Sequence, residues 1–218
     1  MAPNPPQHRK KPLLRGVSHQ IAAFLAAPAA AALVMGAGGG SARAAALTYG
    51  ASLLTLFAVS ATYHRPTWSL RVRRVLWRID HSAIFVLIAG TYTPFCVLLG
   101  GAVGRLALAA VWIGAAIGVT VAIAWPDASK RVMAAIYVGF GWMAFPVLPM
   151  LRAKLGGHAL ALLFAGGLLY CLGALVYARR RPDPFPAVFG FHEIFHLFVI
   201  AAAVCHFVVV GSAIRALG

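Results

Sequence analysis

The sequence predicts an all-α, polytopic membrane protein: a bundle of seven spanning helices with its N-terminus in the cytoplasm and its C-terminus outside. Three observations predict it. The chain is too apolar for a soluble domain, it contains seven apolar runs of spanning length, and its basic residues are unevenly shared between the two ends of those runs. Of 218 residues, 61% are apolar and 11% charged, and the mean hydropathy is +0.85. A soluble domain of this size is closer to half apolar and one-quarter charged.

Hydrocarbon about 30 Å thick takes roughly 20 apolar residues in a helix. The first such run, at about 19–39, follows a basic tail of residues 1–18 holding Arg9, Lys10, Lys11 and Arg15. The second, at 44–64, starts beside Arg43 and ends before Arg65. The third, at 80–100, follows a linker with Arg71, Arg73, Arg74 and Arg78; the fourth, at 104–125, holds only Arg105. The fifth, at 132–151, lies between Lys130-Arg131 and Arg152 with Lys154. The sixth, at 158–178, ends at Arg179, Arg180 and Arg181, and the seventh, at 192–213, precedes Arg215. The linkers are short and carry the Arg, Pro and Gly, so residues 19–218 read as one domain.

The charge pattern sets the orientation. Fourteen basic residues fall on the N-terminal side and five on the other, the positive-inside bias of a protein whose N-terminus is cytoplasmic. A net charge of +15 is therefore a topological signal, and no nucleic-acid partner is expected. The basic start, the apolar run 21–35 and Ala42-Arg43-Ala44 imitate a secretory signal and its cleavage site. Removing that segment would leave six helices and a less natural charge distribution, so the expectation is an uncleaved first helix in a cell-membrane protein. Cys96, Cys171 and Cys205 lie in apolar runs without CxxC spacing and read as buried small hydrophobes.

Ionisable side chains are costly in spanning helices, and each is a functional hypothesis. Of four acidic residues, Asp127 and Asp183 lie in linkers, leaving Asp80 at the start of the third run and Glu193 at the start of the seventh. His64 ends the second. The topology brings His64, Asp80, His192 and His196 to one cytoplasmic level. Residues at i and i+4 share a helix face, so His192 with His196, and Ser60 with His64, can each point into the bundle. Three imidazoles with a fourth position open to water is the composition of a catalytic zinc site. Asp80 would orient or deprotonate that water, and Ser60 would hydrogen-bond the water or a substrate oxygen.

Plainer readings stand beside these. A lone His at a helix end is ordinarily an interfacial hydrogen-bonding group, an i, i+4 pair also arises by chance, and Asp80 could neutralise Arg78 or cap its helix. His206 lies ten residues beyond His196, about 15 Å deeper, and reads as a core histidine. His81 points roughly 100° away from Asp80 around the helix, and Asp80 is the one expected to face the site. His8, His19 and His158 read as solvated or interfacial. His192-Glu193-Ile194-Phe195-His196 also satisfies H-E-x-x-H, the metalloprotease signature with Glu as general base; Glu193 reads equally well as a first-turn carboxylate at a helix N-terminus.

The segments Ser60 to His64, Ile79-Asp80-His81-Ser82 leading to Ile88 through Pro94, and His192 to His196 together resemble the bacterial hemolysin III branch of the progestin and adipoQ receptor (PAQR) family. The resemblance spans nearly the whole chain. It implies a seven-helix bundle holding zinc on His64, His192 and His196, with Asp80 and Ser60 near the water on the metal. Receptor-branch relatives carry Gln at the position of Glu193, which argues against Glu193 as a required base. Eukaryotic members resemble ceramide-hydrolysing receptors, so the resemblance implies a zinc-dependent hydrolase of a lipid amide acting in membrane lipid homeostasis, with membrane lipids as partners. The other expectation is a non-enzymatic sensor, regulator or cytolytic pore with structural zinc.

Three further features fit the membrane setting. Residues 65–80 interleave Trp68 and Trp77 with arginines, as in an amphipathic segment on an anionic leaflet. Pro94, Pro146 and Pro149 would interrupt or kink helices. Gly114 and Gly118 form a small-xxx-small pair suited to close intramolecular packing.

Overall fold

A computed structural model describes residues 11–143 and 145–218. The basic tail's first ten residues, with His8, Arg9 and Lys10, lie outside the described residues. The chain is all-helical, with no strand among the described residues beyond an isolated bridge between Phe185 and Phe189. In order the elements are α1 (Val17–Met35), α2 (Gly40–His64), α3 (Leu70–Leu99), α4 (Gly101–Ala124), α5 (Lys130–Gly141), a short 3₁₀ turn (Phe145–Val147), α6 (Leu148–Arg179) and α7 (Phe191–Arg215).

Six helical stretches among the described residues are long and apolar enough to cross a membrane: α1, α2, α3, α4, α7 and the 50-residue stretch Lys130–Arg179. At 1.5 Å per residue a straight helix of that length would be about 75 Å long, more than twice the hydrocarbon thickness. The stretch does not run straight. It is interrupted at 142–147, where Pro146 sits in the 3₁₀ turn and Pro149 in the first turn of α6, the position in which proline's missing N–H costs nothing. It breaks again at Gly156, whose backbone (φ 81, ψ 172) is non-helical and open to glycine. Residues at comparable removes before and after Gly156 pair up. Trp142 Nε1 donates to Cys171 Sγ at 3.3 Å, and Lys130 Nζ sits 4.3 Å from the centre of the Tyr177 ring. Such pairing is that of an antiparallel hairpin turning at Gly156.

One expected linker is largely helix. α3 starts at Leu70, where the Ser69 hydroxyl caps it by accepting from Val72 N, rather than near residue 80. Hydropathy detects residence in hydrocarbon and not helicity; Arg71, Arg73, Arg74 and Arg78 are unfavourable in lipid but good helix formers. α3 also runs unbroken through Pro94.

The pairs α1–α2, α2–α3, α3–α4, α5–α6 and α6–α7 pack as neighbours, and α7 closes the bundle against α1, α2 and α3. Small residues allow these approaches. Ala42, Ala45 and Ala46 of α2 are fully buried, and Gly50 sits against Ala30 of α1. Gly114 and Gly118 of α4 receive the rings of Phe140 and Phe85, an intramolecular contact as expected. At Gly90 of α3 a methyl group would overlap the Ser52 side chain of α2. Gly90→Ala is therefore expected to destabilise the α2–α3 crossing by about 1–3 kcal/mol, read as a lower melting temperature in detergent. An unchanged melting temperature would show that the helices separate freely there.

Candidate metal centre

The end of α2 and the beginnings of α1 and α7 meet at one end of the bundle, with α3 passing alongside. His64 comes from the last turn of α2 and His192 and His196 from the first two turns of α7, and all three are buried. One ring nitrogen from each lies within 4.8 Å of the others. The Nε2 atoms of His64 and His192 face each other at 3.1 Å. In a tetrahedral zinc site with Zn–N near 2.0–2.1 Å the ligand nitrogens stand roughly 3.4 Å apart. The His196 ring centre is 5.1 Å from that of His64 and 4.6 Å from that of His192. Its Nδ1 is buried without a hydrogen-bond partner, an arrangement costly for a polar atom that binds nothing. Facing nitrogens and an unpartnered ring nitrogen on three buried imidazoles fit a divalent cation of the borderline class.

Asp80 lies well inside α3, away from its capped N-terminus, so it is not a helix cap. Its Oδ2 is 3.8 Å from His64 Nε2, with the carboxylate 13% exposed. Ser60, buried one turn before His64, places Oγ 2.8 Å from His19 Nδ1, and the same hydroxyl interacts with the Asp80 carboxyl. Among the described residues, then, the five expected site residues gather in one place. His81 is turned aside: its Nδ1 donates to the Trp77 carbonyl at 2.9 Å and its ring stacks on the Trp77 indole. His206 Nε2 donates to the Leu163 carbonyl at 3.1 Å, as befits a core histidine, and His158 is exposed.

His19 corrects the sequence reading. It is neither solvated nor interfacial but 3% exposed, its ring parallel to that of His196 with centres 3.7 Å apart. The signal was available, because the expected topology starts α1 on the same side as the end of α2 and the start of α7, and the argument that gathered the other histidines also brings position 19 to their level.

Among the described residues, those preceding α1 do not hang free either. Lys11 Nζ donates to the carbonyls of His64 and Pro66 at 2.9 and 3.3 Å and to that of Arg65 at 2.5 Å, placing a cation at the negative end of α2. Partial burial, then Arg65, Arg15 and Arg73, lower its pKa. The amides of Leu13 and Leu14 donate to Ala187 and Val188. Arg15 forms an ion pair with Glu193, whose other oxygen accepts from Gly190 N at 2.8 Å, capping the start of α7. Glu193 is 2% exposed. Its carboxylate is a structural anchor, as the first-turn reading expected. Arg15→Ala leaves that buried charge without its counter-ion, at a cost of about 3 kcal/mol, and a lower melting temperature checks it.

From the histidines a cavity of about 190 Å³ runs between α3, α5, α6 and α7, past Leu87, Phe95, Phe164 and Val199 to His206. Its walls are predominantly apolar. The geometry is thus a polar cluster at the end of a greasy channel.

A family model described as haemolysin-III related matches residues 7–207. The chain belongs to the haemolysin-III family. It is 34% identical to hemolysin-3 of Bacillus cereus over 92% of this chain and 90% of that one. The hemolysin-3 homolog of Bacillus subtilis (strain 168) is also 34% identical, over 91% of this chain and 92% of the relative. Eukaryotic relatives match too: the heptahelical transmembrane protein ADIPOR2 of Oryza sativa subsp. japonica is 34% identical over 80% of this chain and 84% of its own. With its apolar helices, this haemolysin-III member is a multi-pass membrane protein.

Proposed function

We propose that this haemolysin-III protein spans the cell membrane seven times with a cytoplasmic N-terminus, binds zinc on His64, His192 and His196, and hydrolyses a lipid amide. The hairpin at Gly156 supports seven spans over six, since it turns the Lys130–Arg179 stretch back on itself, and the positive-inside bias supports the orientation. The observation that carries the hydrolase reading is the continuity of the three-histidine cluster, Asp80 and the apolar cavity. Bound there, zinc would supply Lewis acidity, polarising an amide carbonyl and making water more acidic. The apolar channel holds the acyl chain and keeps bulk water from the reacting amide. Asp80 takes a proton from the attacking water and returns it to the departing amine nitrogen. Ser60 orients the groups around it by hydrogen bonding.

The test is release of fatty acid from a fluorescent long-chain sphingoid amide by detergent-purified protein carrying one zinc per chain. Hydrolysis abolished by a chelator and restored by zinc supports the reading; no release from zinc-loaded protein overturns it. One observation favours a second reading, in which zinc acts structurally in a sensor or pore: the histidines come from two helices, and a metal would staple α2 to α7. In that case chelation lowers the melting temperature steeply and no amide is cleaved.

The H-E-x-x-H metalloprotease reading fares worse, because Glu193 is held by Arg15 and by the N-terminus of its own helix. A carboxylate so engaged is poorly placed to take a proton from water.

A further inference from the structure

His19 is buried beside the three histidines yet cannot share their metal. Its ring is inclined only 6° to that of His196 with centres 3.7 Å apart. Imidazole lone pairs lie in the ring plane, so a cation about 2 Å from His196 in its plane stands well above the plane of His19. His19 must act some other way. Phe57 also packs against it in an edge-to-face arrangement, with centres 5.1 Å apart. Its Nδ1 is 2.8 Å from Ser60 Oγ, and its Nε2 is buried without a well-formed hydrogen bond, the ring's other polar neighbour being the His196 backbone.

Those two nitrogens decide the direction of hydrogen bonding. If Ser60 donated to Nδ1, the neutral ring would carry its hydrogen on Nε2, leaving a buried N–H donor with no well-formed hydrogen bond. Orphaned buried N–H groups are rare and costly. If His19 instead carries its hydrogen on Nδ1 and donates it to Ser60, what remains unpaired is only a ring lone pair. The Ser60 hydrogen is then free to point at its other neighbour, Asp80, whose carboxylate is an acceptor.

We infer that His19 is a positioning residue: it donates through Nδ1 to Ser60, Ser60 donates to Asp80, and the chain holds the Asp80 carboxylate against the metal centre while the His19 ring fixes the plane of His196. This rests on the zinc reading above and extends it to a residue on a fourth helix. Partners one step removed from a metal typically change its affinity 10–100-fold, and a chain of two hydrogen bonds fails as a unit when either link is cut.

The experiment uses cobalt(II) as the probe, on full-length protein in detergent, reading the visible absorption band and the apparent affinity by chelator competition. His19→Phe keeps a ring against His196 but cannot donate. His19→Asn restores a donor at the position of Nδ1 without the stack. His19→Phe and Ser60→Ala are each expected to weaken cobalt binding about ten-fold and to shift the band alike, with the double variant no worse than either single change. His19→Asn is expected to bind cobalt more tightly than His19→Phe, recovering the part of the loss that depends on the hydrogen bond. Equal, non-additive losses with rescue by Asn support the chain. Cobalt binding unaltered by His19→Phe, additive losses, or failure of Asn to rescue would overturn it while leaving the metal centre intact. Parent protein that binds neither cobalt nor zinc would remove both readings.

Discussion

His196→Ala is expected to abolish metal binding. The substitution deletes one of three ligands from a site where each ring is already oriented by neighbours: His196 by the stack on His19, His64 and His192 by their facing nitrogens. Since disturbing an outer partner alone costs 10–100-fold in affinity, losing a direct ligand is expected to cost more than about 100-fold, and the purified variant should hold essentially no zinc by elemental mass spectrometry. His64→Ala and His192→Ala should behave alike. Each also removes a buried ring, so loss of metal through misfolding has to be separated from loss of a ligand. His206→Ala provides the control: His206 is an imidazole on the same helix and cavity, engaged with the Leu163 carbonyl, and its removal should leave metal content at the parent's level. Full metal retention in His196→Ala would eliminate the three-histidine site, and with it the hydrolase.

How much of this was legible in the sequence follows from which forces act locally. Most spans could be read because hydrocarbon selects composition run by run. The His192–His196 pair could be read because 3.6 residues per turn fixes which positions share a face. Asp80 stood out because acidic residues are so few. What could not be read depends on contacts distant in the chain. Arg15 pairs with Glu193 across 178 positions, and nothing near Arg15 announces a partner. His19 is buried because Gly50 lets α1 lie close on α2 and because α7 closes over both, a packing outcome with no periodic signature. The N-terminal extension of α3 was hidden for the opposite reason, since its helicity is local but its arginines mask it from a hydropathy reading. The cavity is a property of the assembled bundle, and the prolines at 146 and 149 indicated only that the fifth run would be interrupted.

Asp80→Asn separates catalysis from binding and is the second large effect. The substitution is close to isosteric. An amide can still meet the Ser60 hydroxyl, so the surroundings of His64 should persist and zinc should remain bound at saturating metal. What is lost is a base. Proton transfer by a positioned side chain contributes typically 10²–10⁴-fold, so lipid-amide turnover is expected to fall by about that factor, mainly in kcat, because the apolar channel that binds the acyl chain is untouched. Glu193→Gln is the informative partner. If Glu193 were the base of an H-E-x-x-H protease, that change would remove turnover and Asp80→Asn would not. With Glu193 tied to Arg15 and the α7 N-terminus, the expected result is the reverse: a lower melting temperature with turnover per folded chain near that of the parent. Turnover retained in Asp80→Asn would leave the three histidines without a proton acceptor among the acidic residues, since Asp183 holds the Phe191 amide at the start of α7 and Asp127 lies in the loop between α4 and α5. Asp80 would then be excluded as the base, and the proton of the attacking water would have to leave without help from a carboxylate.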